Sequence, residues 1–206
     1  MVVTATYADE TTGILANQSL QFSKIPAAEG TQNVVISYVG TTSTVTTTVP
    51  LTLVQGTGQV GATDFSTAWW TEFSEDYAVP SGESKILTMY CYSKNVENYQ
   101  SPSTILRRAD MTEYAVVRMD NFGWGDGYGT ATATSDWNWD TFASNISGSK
   151  IIITVTNNGD DTADVYYDVT YATGETHFQS YEGITVDSSD LNFALVIEGA
   201  YIVFVE

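Results

Sequence analysis

The 206-residue chain holds one cysteine, one histidine and only seven lysines and arginines. Each shortage closes off a class of function. With Cys91 alone no internal disulfide forms, and with His177 as the single histidine no Cys/His metal cluster is available. Against the seven basic residues stand 25 acidic ones, a formal charge of −18. A surface this negative repels phosphates and anionic lipid headgroups, so nucleic acid is not an expected partner. No apolar run of membrane length and no basic-plus-apolar signal pattern occurs, so no membrane insertion is expected. The scarcity of cysteine still leaves an extracellular location open. Gly-x-Ser-x-Gly, a phosphate-cradling loop and a zinc signature are all missing. No strand carries the spaced carboxylates that glycoside hydrolysis requires, so the expectation is a protein that is not an enzyme. No cofactor is expected. Asp126, Asp160 and Asp161 could help to hold a structural calcium ion, but their spacing matches no calcium loop and turn chemistry accounts for them.

What the chain does have is β-forming material. Hydrophobic residues make up 43%, and 13 tyrosines outnumber 8 phenylalanines. Short alternating runs of Thr, Val, Tyr and Ile recur between Gly- and Asn-containing turns. This pattern predicts an all-β protein, an antiparallel β-sandwich of jelly-roll type with a smaller β-sandwich module in front. The Gly-rich run 55–61 reads as a linker, which places a first module at residues 1–57 and a second at 58–206. In the first, strands are expected at 3–7, 19–22, 33–38 and 44–53, with turns at 8–13, 27–31 and Gly40. In the second, strands are expected at 86–93, 113–120, 150–156, 163–171, 175–181, 191–197 and 201–205. Trp69 and Trp70 open it at a strand start. Hairpin turns fall at 157–161 and 172–174, and Asp136 is suited to cap a helical turn over 136–142. The chain runs straight into its first strand, which suggests a piece of a longer protein tethered to other domains.

Successive strand residues point to opposite faces, so the alternation sorts the rings. Leu87, Met89 and Cys91 share one face and Tyr90 and Tyr92 the other. Ala115, Val117 and Met119 oppose Tyr114, Arg118 and Asp120. His177, Gln179 and Tyr181 form a polar, ring-bearing set opposite Thr176 and Phe178. Just after Asp120 comes Asn121-Phe122-Gly123-Trp124-Gly125-Asp126-Gly127-Tyr128-Gly129, with four glycines and three aromatic rings in nine residues. Rings cover the C–H faces of a pyranose while amides, Arg and carboxylates hydrogen-bond its hydroxyls. The expected carbohydrate-binding residues are therefore Tyr90, Tyr92, Tyr114, Arg118, Asp120, Trp124, Trp137, His177, Gln179 and Tyr181. Other readings stay open beside this one. Trp124 also fits a buried loop anchor, Arg118–Asp120 a structural ion pair, and His177 a plain surface residue. The whole also fits a structural or adhesive spacer that binds protein or nothing, and less well a glycoside hydrolase.

Two resemblances add to this. The run VTATYADETT followed by GTQNVVISYVGTTSTVTTTVPLTL resembles the later part of a group-three bacterial immunoglobulin-like domain, a spacer family, with its leading strand missing. Over roughly residues 65–206, WWTEFSEDY, Arg118-Met119-Asp120-Asn121-Phe122-Gly123-Trp124-Gly125, DWNWDTF and THFQSYEGI resemble a domain of multimodular polysaccharide-degrading surface proteins of Bacteroidetes. That resemblance implies a β-sandwich carbohydrate-binding module for polysaccharide or oligosaccharide, with β-glucans expected, at the cell surface or outside the cell. Where relatives carry Asn-Tyr-Ser and Asn-Trp, this chain has Cys91-Tyr92-Ser93 and Asn98-Tyr99.

Overall fold

The computed structural model describes residues 3–6, 10–15, 19–23, 30–39, 44–53 and 56–205. They form antiparallel β structure in two compact units, Met1–Gln55 and Gly56–Glu206.

In the first unit β1 (Val3–Thr6) pairs with β2 (Thr12–Leu15). β3 (Leu20–Phe22), β4 (Gly30–Val39) and β5 (Thr44–Leu53) make a three-stranded sheet in that order. The alternation in β4 buries Val34 and Ile36, and Leu20 of β3 joins them, whereas Ile14, Phe22, Val39 and Val45 are exposed. Thr12 and Gly13, expected in a turn, belong to β2 instead. Tyr7, the turn residues 27–29 and Gly40, and Gln55 lie outside the described residues.

The second unit is a β-sandwich. Its strands are β6 (Gly56–Val60), β7 (Tyr77–Ala78), β8 (Ser84–Ser93), β9 (Ser103–Arg107), β10 (Glu113–Arg118), β11 (Phe122–Trp124), β12 (Thr132–Ser135), β13 (Ser149–Asn157), β14 (Thr162–Thr170), β15 (Thr176–Thr185), β16 (Asn192–Val196) and β17 (Ala200–Val205), with helix α1 (Trp139–Asn145) after β12. One sheet has five strands in the order β11-β10-β9-β16-β7, the other seven in the order β12-β15-β14-β13-β8-β17-β6. The core lies between them. Met89, Cys91, Ile151, Ile153, Val155, Val165, Tyr167 and Val169 of the larger sheet meet Leu106, Ala115, Val117, Phe193 and Leu195 of the smaller. Each such large side chain stabilises by about 1.5–3 kcal/mol when removed from water. The Tyr167 hydroxyl bridges the layers, 2.7 Å from Thr104 Oγ1 and 3.1 Å from the Val117 carbonyl.

Four local expectations are corrected. From Gly56 on the Gly-rich run is no linker, because Gly56–Val60 forms edge strand β6 against β17. A Cβ on Gly56 would sit 2.6 Å from Val203 Cγ1, so the glycine lets the two strands approach. The helix cap is Asn138, whose side chain accepts the Asp140 N–H, while Asp136 Oδ1 accepts the Phe178 N–H at 2.7 Å and so ties the loop to β15. Trp69 and Trp70 lie in a turn rather than at a strand start. Strand β9, unexpected from the sequence, is buried along its whole length. It lies between β10 and β16 with a covered face on each side, so no polar alternation marks it.

Candidate functional site

The stretch around Trp124 folds as a tight hairpin. Arg118 pairs with Phe122, Val117 with Gly123 and Val116 with Trp124. Met119 enters the core at 0% exposure and anchors the turn, and Asn121 takes a positive φ of 60° that closes it. Gly125 then adopts φ 104°, with the place of a Cβ only 2.7 Å from the Tyr114 carbonyl, so no side chain fits there. Register and the two-residue period put Val116, Arg118, Phe122 and Trp124 on one face, the outer face of the five-stranded sheet.

That face carries a second, smaller apolar cluster. Ile105, Val116 and Val196 are each fully buried, covered by the half-exposed rings of Trp69, Trp70 and Trp124. The loop bearing Trp69 and Trp70 is pinned along β16: Phe73 bridges to Val196, and Ser74 N–H donates to the Leu195 carbonyl at 2.9 Å. Ring centroids then follow one another across the sheet. Phe122 lies 6.3 Å from Trp124, Trp124 lies 5.8 Å from Trp69 and 6.4 Å from Trp70, and Trp70 lies 5.4 Å from Phe73. Phe122 is 57% and Phe73 37% exposed.

Each end of this row has an arginine–carboxylate pair. Arg118 donates from Nε to Asp120 Oδ1 at 2.8 Å and from its second nitrogen to Asp120 Oδ2, a two-pronged pair of the kind that fixes both groups. Its guanidinium stacks over Phe122 at 5.2 Å and Tyr99 at 5.8 Å. At the other end the buried Arg107 donates from Nε to Asp76 Oδ1 at 2.8 Å and stacks over Phe73 at 5.9 Å. Rigid rings and two held ion pairs thus share one surface, while at the hairpin turn Asn121 Oδ1 accepts from the buried Gln179 Nε2 at 3.4 Å. Such a surface can lay rings on C–H groups while presenting oriented donors and acceptors to hydroxyls.

Of the ten residues expected to bind sugar, Arg118, Asp120 and Trp124 lie here together. Tyr90 and Tyr92 do face outward, but from the seven-stranded sheet, on the opposite side of the sandwich. There Tyr92 stacks on Tyr201 at 4.9 Å, and burial pushes its hydroxyl above the ordinary tyrosine range. The other five are internal. Tyr114 is 8% exposed, its hydroxyl donating to the Asp190 carbonyl and accepting from Arg108 Nε.

Strand β15 is turned the other way from the expectation. His177, Gln179 and Tyr181 pair with Val169, Tyr167 and Val165, whose side chains are core, so they face inward. Phe178 faces outward and stacks on Tyr166 at 5.8 Å. Gln179, at 0% exposure, accepts the Trp137 Nε1–H at 3.2 Å and donates to the Ser180 carbonyl. Trp137 itself is buried and packs edge-on against Phe142 at 4.8 Å. The Tyr181 hydroxyl reaches the Arg118 and Phe122 carbonyls, so it supports the hairpin from beneath, and burial drives its pKa up. His177 sits with Nε2 3.0 Å from Glu175 Oε1 and Nδ1 3.4 Å from Asp136 Oδ1, against the Tyr171 ring. These five shape the site or the core and do not meet a ligand on this surface.

The face also holds Trp69, Trp70, Phe73, Tyr99 and Arg107, which the strand alternation did not find. Two signals pointed toward them: the adjacent Trp69-Trp70 pair, and Tyr99 at the place where the resemblance has a tryptophan. Among the described residues no group of three His, Cys, Asp or Glu side chains is placed to hold a metal ion.

No family model matches the chain, and no curated protein matches it. Among solved structures it is similar to the lectin UEA-II complexed with galactose, at 7% identity and a TM-score of 0.27 over 92% of this chain and 94% of the lectin. A likeness of that size carries no argument about a ligand.

Proposed function

We propose that the second unit is a non-catalytic carbohydrate-binding module that uses the outer face of its five-stranded sheet to hold a polysaccharide. The observation that carries this reading is the row of half-exposed rings running from Phe122 through Trp124 and Trp70 to Phe73, flanked by Arg118–Asp120. Phe122 and Trp124 stack on the sugar faces, and the Arg118–Asp120 pair takes the hydroxyls. A β-glucan is the first ligand to try, on the strength of the motif Arg118 to Gly125. Such a module works outside the cell, keeping an attached enzyme or the cell surface close to its substrate.

One observation favours a purely structural role for the same rings: Trp69, Trp70 and Trp124 close over Ile105, Val116 and Val196 and would be needed there without any ligand. Affinity electrophoresis and calorimetry against laminarin, mixed-linkage glucan, xyloglucan, cellulose and mannan separate the two. Binding of at least one glycan, weakened about tenfold or more by Trp124→Ala, is expected. Retardation by none of them sinks the binding reading and leaves the spacer.

A further inference from the structure

The row of rings does not stop at Phe73. That residue also lines a cleft of about 510 Å³ at the open edge of the sandwich, whose walls include Gln59 of β6, Glu75, Tyr77, Thr88 of β8 and Phe204 of β17. Sheet face and cleft therefore join through one ring. Neighbouring rings along the row are also not coplanar. Phe122 and Trp124 are inclined by 52°, Trp124 and Trp70 by 45°, and Trp70 and Phe73 by 89°.

Resting on the binding reading above, we infer that the ligand is a single, twisted, uncharged glycan chain several residues long, which runs from Phe122 across the tryptophans into the cleft beyond Phe73. The inclination decides against a flat partner, because rings turned this far from one another cannot lie together on one crystalline sugar surface. A chain that rotates from residue to residue can meet each ring in turn. Length follows from continuity, since a mono- or disaccharide would cover one or two rings and leave the cleft unused. The charge of the ligand follows from the walls. The arginines of this face, Arg118 and Arg107, are already held by Asp120 and Asp76, and Glu75 lines the cleft. Lys85 Nζ lies over the Tyr77 ring at 5.6 Å beside the cleft, and with a chain charge of −18 behind it one such cation does not make a track for a polyuronate or sulfated chain.

The test uses the whole chain and a ladder of soluble β-gluco-oligosaccharides, from disaccharide to octasaccharide, titrated by calorimetry. Polygalacturonate and microcrystalline cellulose serve as the anionic and flat arms. Affinity is expected to climb with length and level off once the track is full, with no binding to polygalacturonate and little to the crystalline solid. Phe73→Ala, checked for an unchanged thermal melt, is expected to lower the affinity of the longest oligosaccharides about fivefold to tenfold and that of the shortest by less. Affinity independent of length, or tighter binding to the crystalline or the anionic polymer, overturns the track while the binding module stands. Failure of every glycan, long or short, overturns both. The wild-type ladder decides this even where Phe73→Ala fails to fold.

Discussion

Strand β15 holds Gln179 and Tyr181 at 0% exposure, whereas the β10–β11 hairpin leaves Phe122 57% exposed and Arg118 and Trp124 partly open. Written as text, the two segments look alike, with rings, an amide and a charged or polar group at every second position. The difference lies in what each strand faces. β15 lies in the larger sheet with its ring-bearing side toward β10, and the Tyr181 hydroxyl finds the Arg118 and Phe122 carbonyls there. A tyrosine or glutamine can enter a core when its polar tip meets a partner. The hairpin sends Ala115, Val117 and Met119 inward, so its polar set is left on the outside. Polar residues in alternation thus mark a surface only where no buried partner awaits them.

The comparison can be broken in four ways. The largest effect belongs to Tyr181→Ala, which removes a fully buried ring and two backbone supports. It should cost about 3–5 kcal/mol in urea unfolding, and a loss below about 1 kcal/mol would mean that β15 does not face the core.

Next comes alkaline pH. Burial pushes the Cys91 thiol from its ordinary 9.0 up to about 12. Above pH 9.0 the unfolded chain sheds this proton while the folded chain keeps it, so the contribution is intact below that pH and is lost progressively up to pH about 12. The buried Tyr167 and Tyr181 hydroxyls, also raised by burial, act in the same direction at higher pH. Stepped-pH unfolding of wild type and Cys91→Ala should show a shallower alkaline decline in the variant, and the native thiol should resist a soluble maleimide.

A smaller effect is expected for Asp120→Asn. It leaves Arg118 without its two-pronged partner at a site where both side chains are mostly covered, with a loss of about 1 kcal/mol in stability. A larger proportional loss in glycan affinity should accompany it, since the freed guanidinium no longer holds its place over Phe122. Equal losses in both would assign the pair to structure alone.

The smallest effect is Tyr92→Ala on the outer face of the seven-stranded sheet. Stability should change by no more than about 1 kcal/mol, and glycan affinity should stay as in wild type. An affinity loss as large as that of Trp124→Ala would move the binding face to the other side of the sandwich.

Much of this molecule was determined by sequence alone. Period-two alternation in 86–93 set that strand and its core face, because a strand with one face against a core must alternate, and 150–156 and 163–171 were legible as strands. The Asn158-Gly159 and Thr173-Gly174 turns set the meander between them. The motif from Arg118 to Gly125 marked a tight glycine-rich loop, since glycine and asparagine there answer to local backbone angles, but not that Phe122–Trp124 returns as a strand on β10. Only tertiary structure decided the rest. Strand β9 and edge strand β6 carry no alternation of their own, and their neighbours β10, β16 and β17 make them strands. The inward turn of His177, Gln179 and Tyr181 depended on partners across the sandwich. The meeting of Trp69 and Trp70 with Trp124 depended on a loop pinned to β16. Local chemistry reaches a few residues along the chain, whereas a site assembled from residues 69 to 124 exists only after the sheet has brought them side by side.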